Sequence, residues 1–142
     1  MKKFLPLVIV IGAIFLVLIF LTYWEPPQHD VLDDTIWKVI DLNKEPLVTE
    51  TTLTIRFHDR KISGSSGCNR FSGRYEVQDD TLAISIREAT SENCLNPAVM
   101  NQEQAFKNYL STASGFYLTG PGLTITTGDG GTVVFHSMLA DN

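Results

Sequence analysis

Residues 53–77 read Leu53-Thr54-Ile55-Arg56-Phe57-His58-Asp59-Arg60-Lys61-Ile62-Ser63-Gly64-Ser65-Ser66-Gly67-Cys68-Asn69-Arg70-Phe71-Ser72-Gly73-Arg74-Tyr75-Glu76-Val77. Leu53, Ile55 and Phe57 alternate with polar residues, which is the period of a strand with one buried face. His58 to Lys61 is a polar turn, and Ile62-Ser63-Gly64 opens a second strand. Gly67-Cys68-Asn69 interrupts it. Alternation resumes from Phe71 to Val77, with Tyr75 and Val77 on one face.

The same pattern extends in both directions. Ile36 to Ile40 reads as a first strand, with Trp37 and Val39 facing one side. Gln78-Asp79-Asp80 turns the chain into a strand marked by Leu82, Ile84 and Ile86. One helix is expected, starting at Asn96-Pro97 with Asn as the cap and Pro in the first turn, and running to about Thr112. Short strands follow near Phe116–Leu118, Leu123–Ile125 and Thr132–His136, the last two joined by Asp129-Gly130-Gly131. Seven or eight strands and one helix predict a mostly β (α+β) domain. Its expected form is a small cracked antiparallel β-barrel with one covering helix.

Before this domain lies a different kind of sequence. Phe4–Leu21 carries no charge and only one Pro and one Gly. As a helix, its roughly 18 residues nearly match a hydrocarbon core of about 30 Å. Tyr23 and Trp24 follow where an aromatic belt would sit, and Lys2 and Lys3 precede it on the cytoplasmic side. A cleaved signal peptide is the competing reading. The apolar run is long for one, and Leu21-Thr22-Tyr23-Trp24-Glu25 offers no small-residue cleavage site. The expected organisation is an anchor over residues 1–24, a Pro-rich spacer over 25–32 and the domain over 33–142. That places a single-pass protein in the inner (cell) membrane, with the domain on the periplasmic, extracytoplasmic side.

The chain of 142 residues has a formal charge of −5. Setting aside Lys2 and Lys3 leaves about −7 for the remainder. Such a balance repels phosphate backbones, and no Lys/Arg stripe stands out in the sequence, so no nucleic-acid partner is expected.

The string Ser66-Gly67-Cys68-Asn69-Arg70-Phe71-Ser72-Gly73-Arg74-Tyr75 resembles the signature loop of the META domain (HslJ-like) family. Cys94, Met100, Gln102-Glu103 and Phe106 resemble its second block. Trp37 and the closing Leu123, Asp129-Gly130 and Val134-Phe135 fit as well. The resemblance covers about Asp33 to His136. It implies an envelope protein, often secreted or lipid-anchored, associated with heat shock. The implied fold is similar to the cracked barrel of a type III secretion pilotin, which binds lipid. It implies no catalytic residue. With no cysteine near the apolar run, this chain departs from the lipoprotein pattern.

Within the motif, Gly64, Gly67 and Gly73 cluster around one loop. Glycine supplies positive φ and close backbone approach, and Asn69 tolerates left-handed geometry. This loop reads either as a binding loop or as a structural bulge bending a barrel strand. Cys68 and Cys94 are the two cysteines of a domain expected in an oxidising compartment, which predicts a disulfide. Two separate buried thiols are the other reading. Glu103 falls inside the helical apolar stripe of Val99, Phe106, Leu110 and Ala113. A carboxylate there needs partners, and the expected ones are backbone N–H groups of the Gly67–Arg74 loop, Arg70 or Arg74. A general acid or base and a solvent-facing Glu are the alternatives.

His29, His58 and His136 show no metal-ligand spacing, and no serine lies in a nucleophile elbow. No cofactor is expected. The functional expectation is a non-enzymatic, membrane-anchored, stress-related envelope protein binding a partner protein or a lipid. The alternative is a metal-binding or thiol-redox protein using Cys68 and Cys94.

Overall fold

The computed structural model describes residues 5–23, 30–92 and 94–138, with the side chains of α1 described from Val10 onward. Phe4, Trp24 and spacer residues 25–29 lie outside the described residues.

Helix α1 spans Leu5–Tyr23, 19 residues without a charge. Its described side chains, Tyr23 included, are all exposed. Over the residues whose side chains are described, Val10–Tyr23 in α1, no helix is long and apolar enough to cross a membrane.

Eight strands follow: β1 (Thr35–Leu42), β2 (Leu53–His58), β3 (Lys61–Ser66), β4 (Arg70–Gln78), β5 (Thr81–Ala89), β6 (Ala113–Thr119), β7 (Gly122–Thr127) and β8 (Thr132–Ser137). Helix α2 (Pro97–Ser111) lies between β5 and β6. The strands form one antiparallel sheet in the order β5-β4-β3-β2-β1-β8-β7-β6. The two edges approach each other, and the Phe116 N–H donates to the Asp80 carbonyl at 2.9 Å. The result is a nearly closed barrel.

Hairpin turns are built by residues with positive φ. Asp59 and Arg60 (φ 50° and 56°) join β2 to β3, a pairing whose twist suits adjacent strands. The alternating residues of β2, Leu53, Ile55 and Phe57, all point inward and are buried. So are Trp37 and Val39 of β1.

Asn96 caps α2, its side chain accepting from the Ala98 N–H at 2.9 Å. Val99, Phe106 and Leu110 form the buried face. Ala113 lies beyond the helix, in β6. The Phe106 ring packs edge-on to Phe71 of β4 (centroids 5.9 Å) and against Phe135 of β8 (6.3 Å), so α2 joins both halves of the sheet.

The domain begins earlier than the composition shift indicates. Leu32 is fully buried in the core, and the Asp30 carboxylate accepts from the Tyr75 hydroxyl (2.9 Å) and the Leu32 N–H (2.9 Å). These two residues, placed in the spacer by their polar and proline-rich neighbours, belong to the barrel. Proline and charge mark where helix and strand stop, not where packing starts.

Candidate functional site

Residues 67–69 form the turn between β3 and β4, closed by the Ser66 N–H and hydroxyl, which donate to the Asn69 carbonyl at 2.8 and 3.0 Å. Gly67 takes φ +113°, a conformation that glycine adopts without strain. This element is a hairpin turn. A bulge lies further on, in the neighbouring strand β5, where Ser72 faces Glu88 but Gly73 faces Ile86.

The turn sets Asn69 against α2. Its backbone N–H donates to Glu103 Oε2 (3.0 Å), and its Nδ2 donates to Oε1 (3.0 Å) and Oε2 (3.2 Å). Its Oδ1 accepts from Thr90 Oγ1 (2.8 Å) and the Glu92 N–H (2.7 Å). Asn69 thereby ties the turn both to α2 and to the segment leaving β5. Lys107, one turn along the helix, donates from Nζ to Glu103 Oε1 at 2.9 Å. Glu103 itself is only 6% exposed. Burial pushes its carboxyl upward, but the bonds from Lys107 and Asn69 outweigh this and hold it below the usual carboxylate range.

Beside this network Cys68 and Cys94 are joined by a disulfide, with Cα atoms 6.1 Å apart. In that form neither sulfur offers a thiolate to a metal. Next to Glu103, Gln102 accepts from the Val48 N–H (2.7 Å) and donates to Thr51 Oγ1 (2.9 Å), fastening the β1–β2 connection to the same helix.

The structure therefore gathers Gly67, Cys68, Asn69, Cys94 and Glu103 in one place, and separates Gly64 and Gly73 from them. A Cβ at Gly64 would land on the Thr54 carbonyl oxygen and the Phe71 ring, and one at Gly73 would meet the Ser85 carbonyl. Both serve close strand packing. Arg70 and Arg74 do not bond Glu103; both are exposed, and the carboxylate's partners are Asn69 and Lys107. The inward partner is an amide because the turn holds Asn69 buried against α2, whereas Arg70 opens β4 exposed. Lys107 and Thr90 escaped sequence reasoning, although the spacing of Glu103 and Lys107 is the helical i, i+4 signal.

Chemically, the arrangement is a clamp. An ionised carboxylate with each oxygen occupied holds donors in place. Among the described residues no buried side-chain nitrogen or oxygen lacks a partner.

The whole-domain pattern decides the family. The META domain model matches residues 30–138. The chain belongs to the META domain family. Among solved structures, this META domain is similar to a protein from Burkholderia xenovorans determined by NMR (TM-score 0.64, 22% identity, 80% of this chain and 97% of that one). It is also similar to a second NMR structure (TM-score 0.62, 24% identity, 78% and 95%). A crystallised DUF4847 family protein from Bacteroides vulgatus ATCC 8482 matches with a TM-score of 0.56 at 14% identity (75% and 94%). At these identities the likeness is one of fold. No curated protein matches the chain.

A separate cluster sits at the domain's entrance. Ligand-type atoms of Asp33, Asp34 and His58 lie within 4.8 Å of one another, with Asp34 and His58 exposed. Asp33 Oδ1 already accepts from the Asp59 N–H (2.8 Å) and the Asp34 N–H (3.1 Å). These residues are 24 and 25 positions apart, too distant for any spacing rule to pair them.

Proposed function

We propose that this META domain is tethered to the inner membrane by α1, faces an oxidising extracytoplasmic compartment, and acts as a non-enzymatic, stress-related envelope protein that binds a partner protein or a lipid. The Cys68–Cys94 bond carries this reading, because such bonds persist in oxidising compartments. The tether is supported by the 19-residue uncharged backbone of α1, whose length as a helix nearly matches a bilayer core of about 30 Å. Lys2 and Lys3 before it favour a cytoplasmic amino end. Binding without catalysis is supported by Glu103, which is committed to Asn69 and Lys107.

The test is twofold. A reporter fused after Asn142 is expected to be active only outside the cytoplasm, and the membrane-extracted protein to retain its first residues by intact mass. Native mass spectrometry of the gently extracted protein is expected to show a bound protein or lipid. A mature start near Trp24 would remove the anchor, and a bare chain would remove the binding role.

A further inference from the structure

The outer face of β2–β5 carries a groove that the sequence does not announce. Its volume is about 450 Å³, within the usual range for small-ligand sites. Four of the chain's 11 lysines and arginines line it: Arg56 from β2, Lys61 from β3, Arg74 from β4 and Arg87 from β5. Each strand supplies one, so no basic run forms in the sequence.

Register explains the convergence. Arg56 pairs with Ser63 and Ser63 with Ser72, giving one row across three strands. Lys61 pairs with Arg74 in the next row. On β5 the register passes from Glu88 opposite Ser72 to Ile86 opposite Gly73, leaving Arg87 as the extra residue of a bulge. A bulge re-aims a side chain, and here Arg87 and Glu88 both line the groove. The floor is Ser63, Ser72 and Gly73, two hydroxyls and a residue with no room for a Cβ.

The guanidinium groups are uncommitted. Among the described residues Arg56, Arg74 and Arg87 form no ion pair, in a chain with five more acidic than basic residues. Lys61 pairs loosely with Asp59 (3.6 Å), and Glu88 is a carboxylate within the groove, accepting from Ser72 Oγ at 3.4 Å.

We propose that this groove binds a small ligand carrying two anionic groups of the phosphate type, gripped by Arg56, Arg74 and Arg87 with Ser63 as a hydroxyl donor. Planar guanidinium groups bond such oxygens two at a time, and several around a shallow floor favour a dianionic ligand over a single charge. Glu88 sets a threshold, since its charge opposes weakly anionic ligands.

The probe is inorganic pyrophosphate, titrated into the full chain held in phosphatidylcholine nanodiscs and followed by backbone amide NMR. Saturable, salt-sensitive shifts centred on Ser63, Ser72, Gly73 and Arg87 are expected. Arg74→Gln and Arg87→Gln should each weaken binding about tenfold or more. Glu88→Gln should tighten it, a gain that misfolding cannot produce, and Lys44→Gln, outside the groove, should leave it unchanged. Shifts scattered over all lysines and arginines, or an affinity that neither Arg87→Gln nor Glu88→Gln alters, would overturn the proposal. A second arm adds cardiolipin, a lipid whose headgroup carries two phosphates, to the nanodiscs. The same shifts appearing there, and displaced by pyrophosphate, assign the ligand to a lipid headgroup. Their appearance with pyrophosphate alone assigns it to a soluble diphosphate.

Discussion

Glu103 of α2 accepts hydrogen bonds from both the backbone N–H and the side-chain amide of Asn69, 34 residues earlier in the chain. A carboxylate and an amide thus fix the angle at which the helix meets the β3–β4 turn. Gln in place of Glu keeps the size and loses the charge. Glu103→Gln is expected to destabilise the domain by roughly 2–3 kcal/mol, because Lys107 and the Asn69 donors lose a charged acceptor. Urea unfolding at neutral pH measures it, and an unchanged midpoint would reject the clamp.

The same pair predicts an acid dependence. Glu103 is held below its unperturbed 4.5, so its ionised form is favoured in the folded state. The stability this contributes is complete above about pH 4.5. It is lost as pH falls from there through the folded value. Unfolding midpoints measured across pH 2–6 should converge for wild type and Glu103→Gln at the acid end.

Tyr75 predicts the opposite limb. Burial, the bond to Asp30 and the charges of Asp30, Asp33 and Asp34 push its phenol far above 10.0. Its contribution is full below pH 10 and declines as pH rises beyond it, because the unfolded chain ionises first. Tyr75→Phe should cost about 1 kcal/mol at neutral pH through the lost bond to Asp30. It should also flatten the alkaline loss seen by calorimetry between pH 9 and 11.

How much of this could be read in advance differs element by element. Leu53, Ile55 and Phe57 alternate, and their strand was legible because one face is buried and the other wet. Asn96-Pro97 announced α2 through chemistry confined to one turn. Glu103 was conspicuous as a charge within an apolar stripe. The basic groove and the Asp33, Asp34 and His58 cluster were not legible, since they depend on register between strands and on a bulge at Arg87, which no local pattern encodes. The role of Asp30 was hidden for a similar reason: its partner, Tyr75, lies 45 residues away.

The disulfide closes a loop of about 27 residues, so in the chain-entropy model its loss should cost roughly 3–4 kcal/mol. Cys68→Ser paired with Cys94→Ser measures this against the oxidised protein by urea unfolding. Unfolded, non-reduced wild type should give no thiol signal; two titratable thiols would refute the bond.

Two glycines separate packing from mere flexibility. At Gly73 an added methyl meets the Ser85 carbonyl, whereas at Gly128 nothing lies within 4 Å. Gly73→Ala should therefore cost about 2 kcal/mol or more, in the range of overpacked sites, while Gly128→Ala should leave the thermal midpoint within about a degree or two.

Strand β8 lies between β1 and β7, so the first strand of the barrel finds its second neighbour only in the last one. A ribosome or export channel delivers residues in order. Until Thr132–Ser137 has emerged, β1 and β7 each present a bare row of backbone donors and acceptors, the kind of edge that recruits foreign strands. The nascent domain is therefore most vulnerable just before this strand arrives, for as long as delivery of those six residues is delayed.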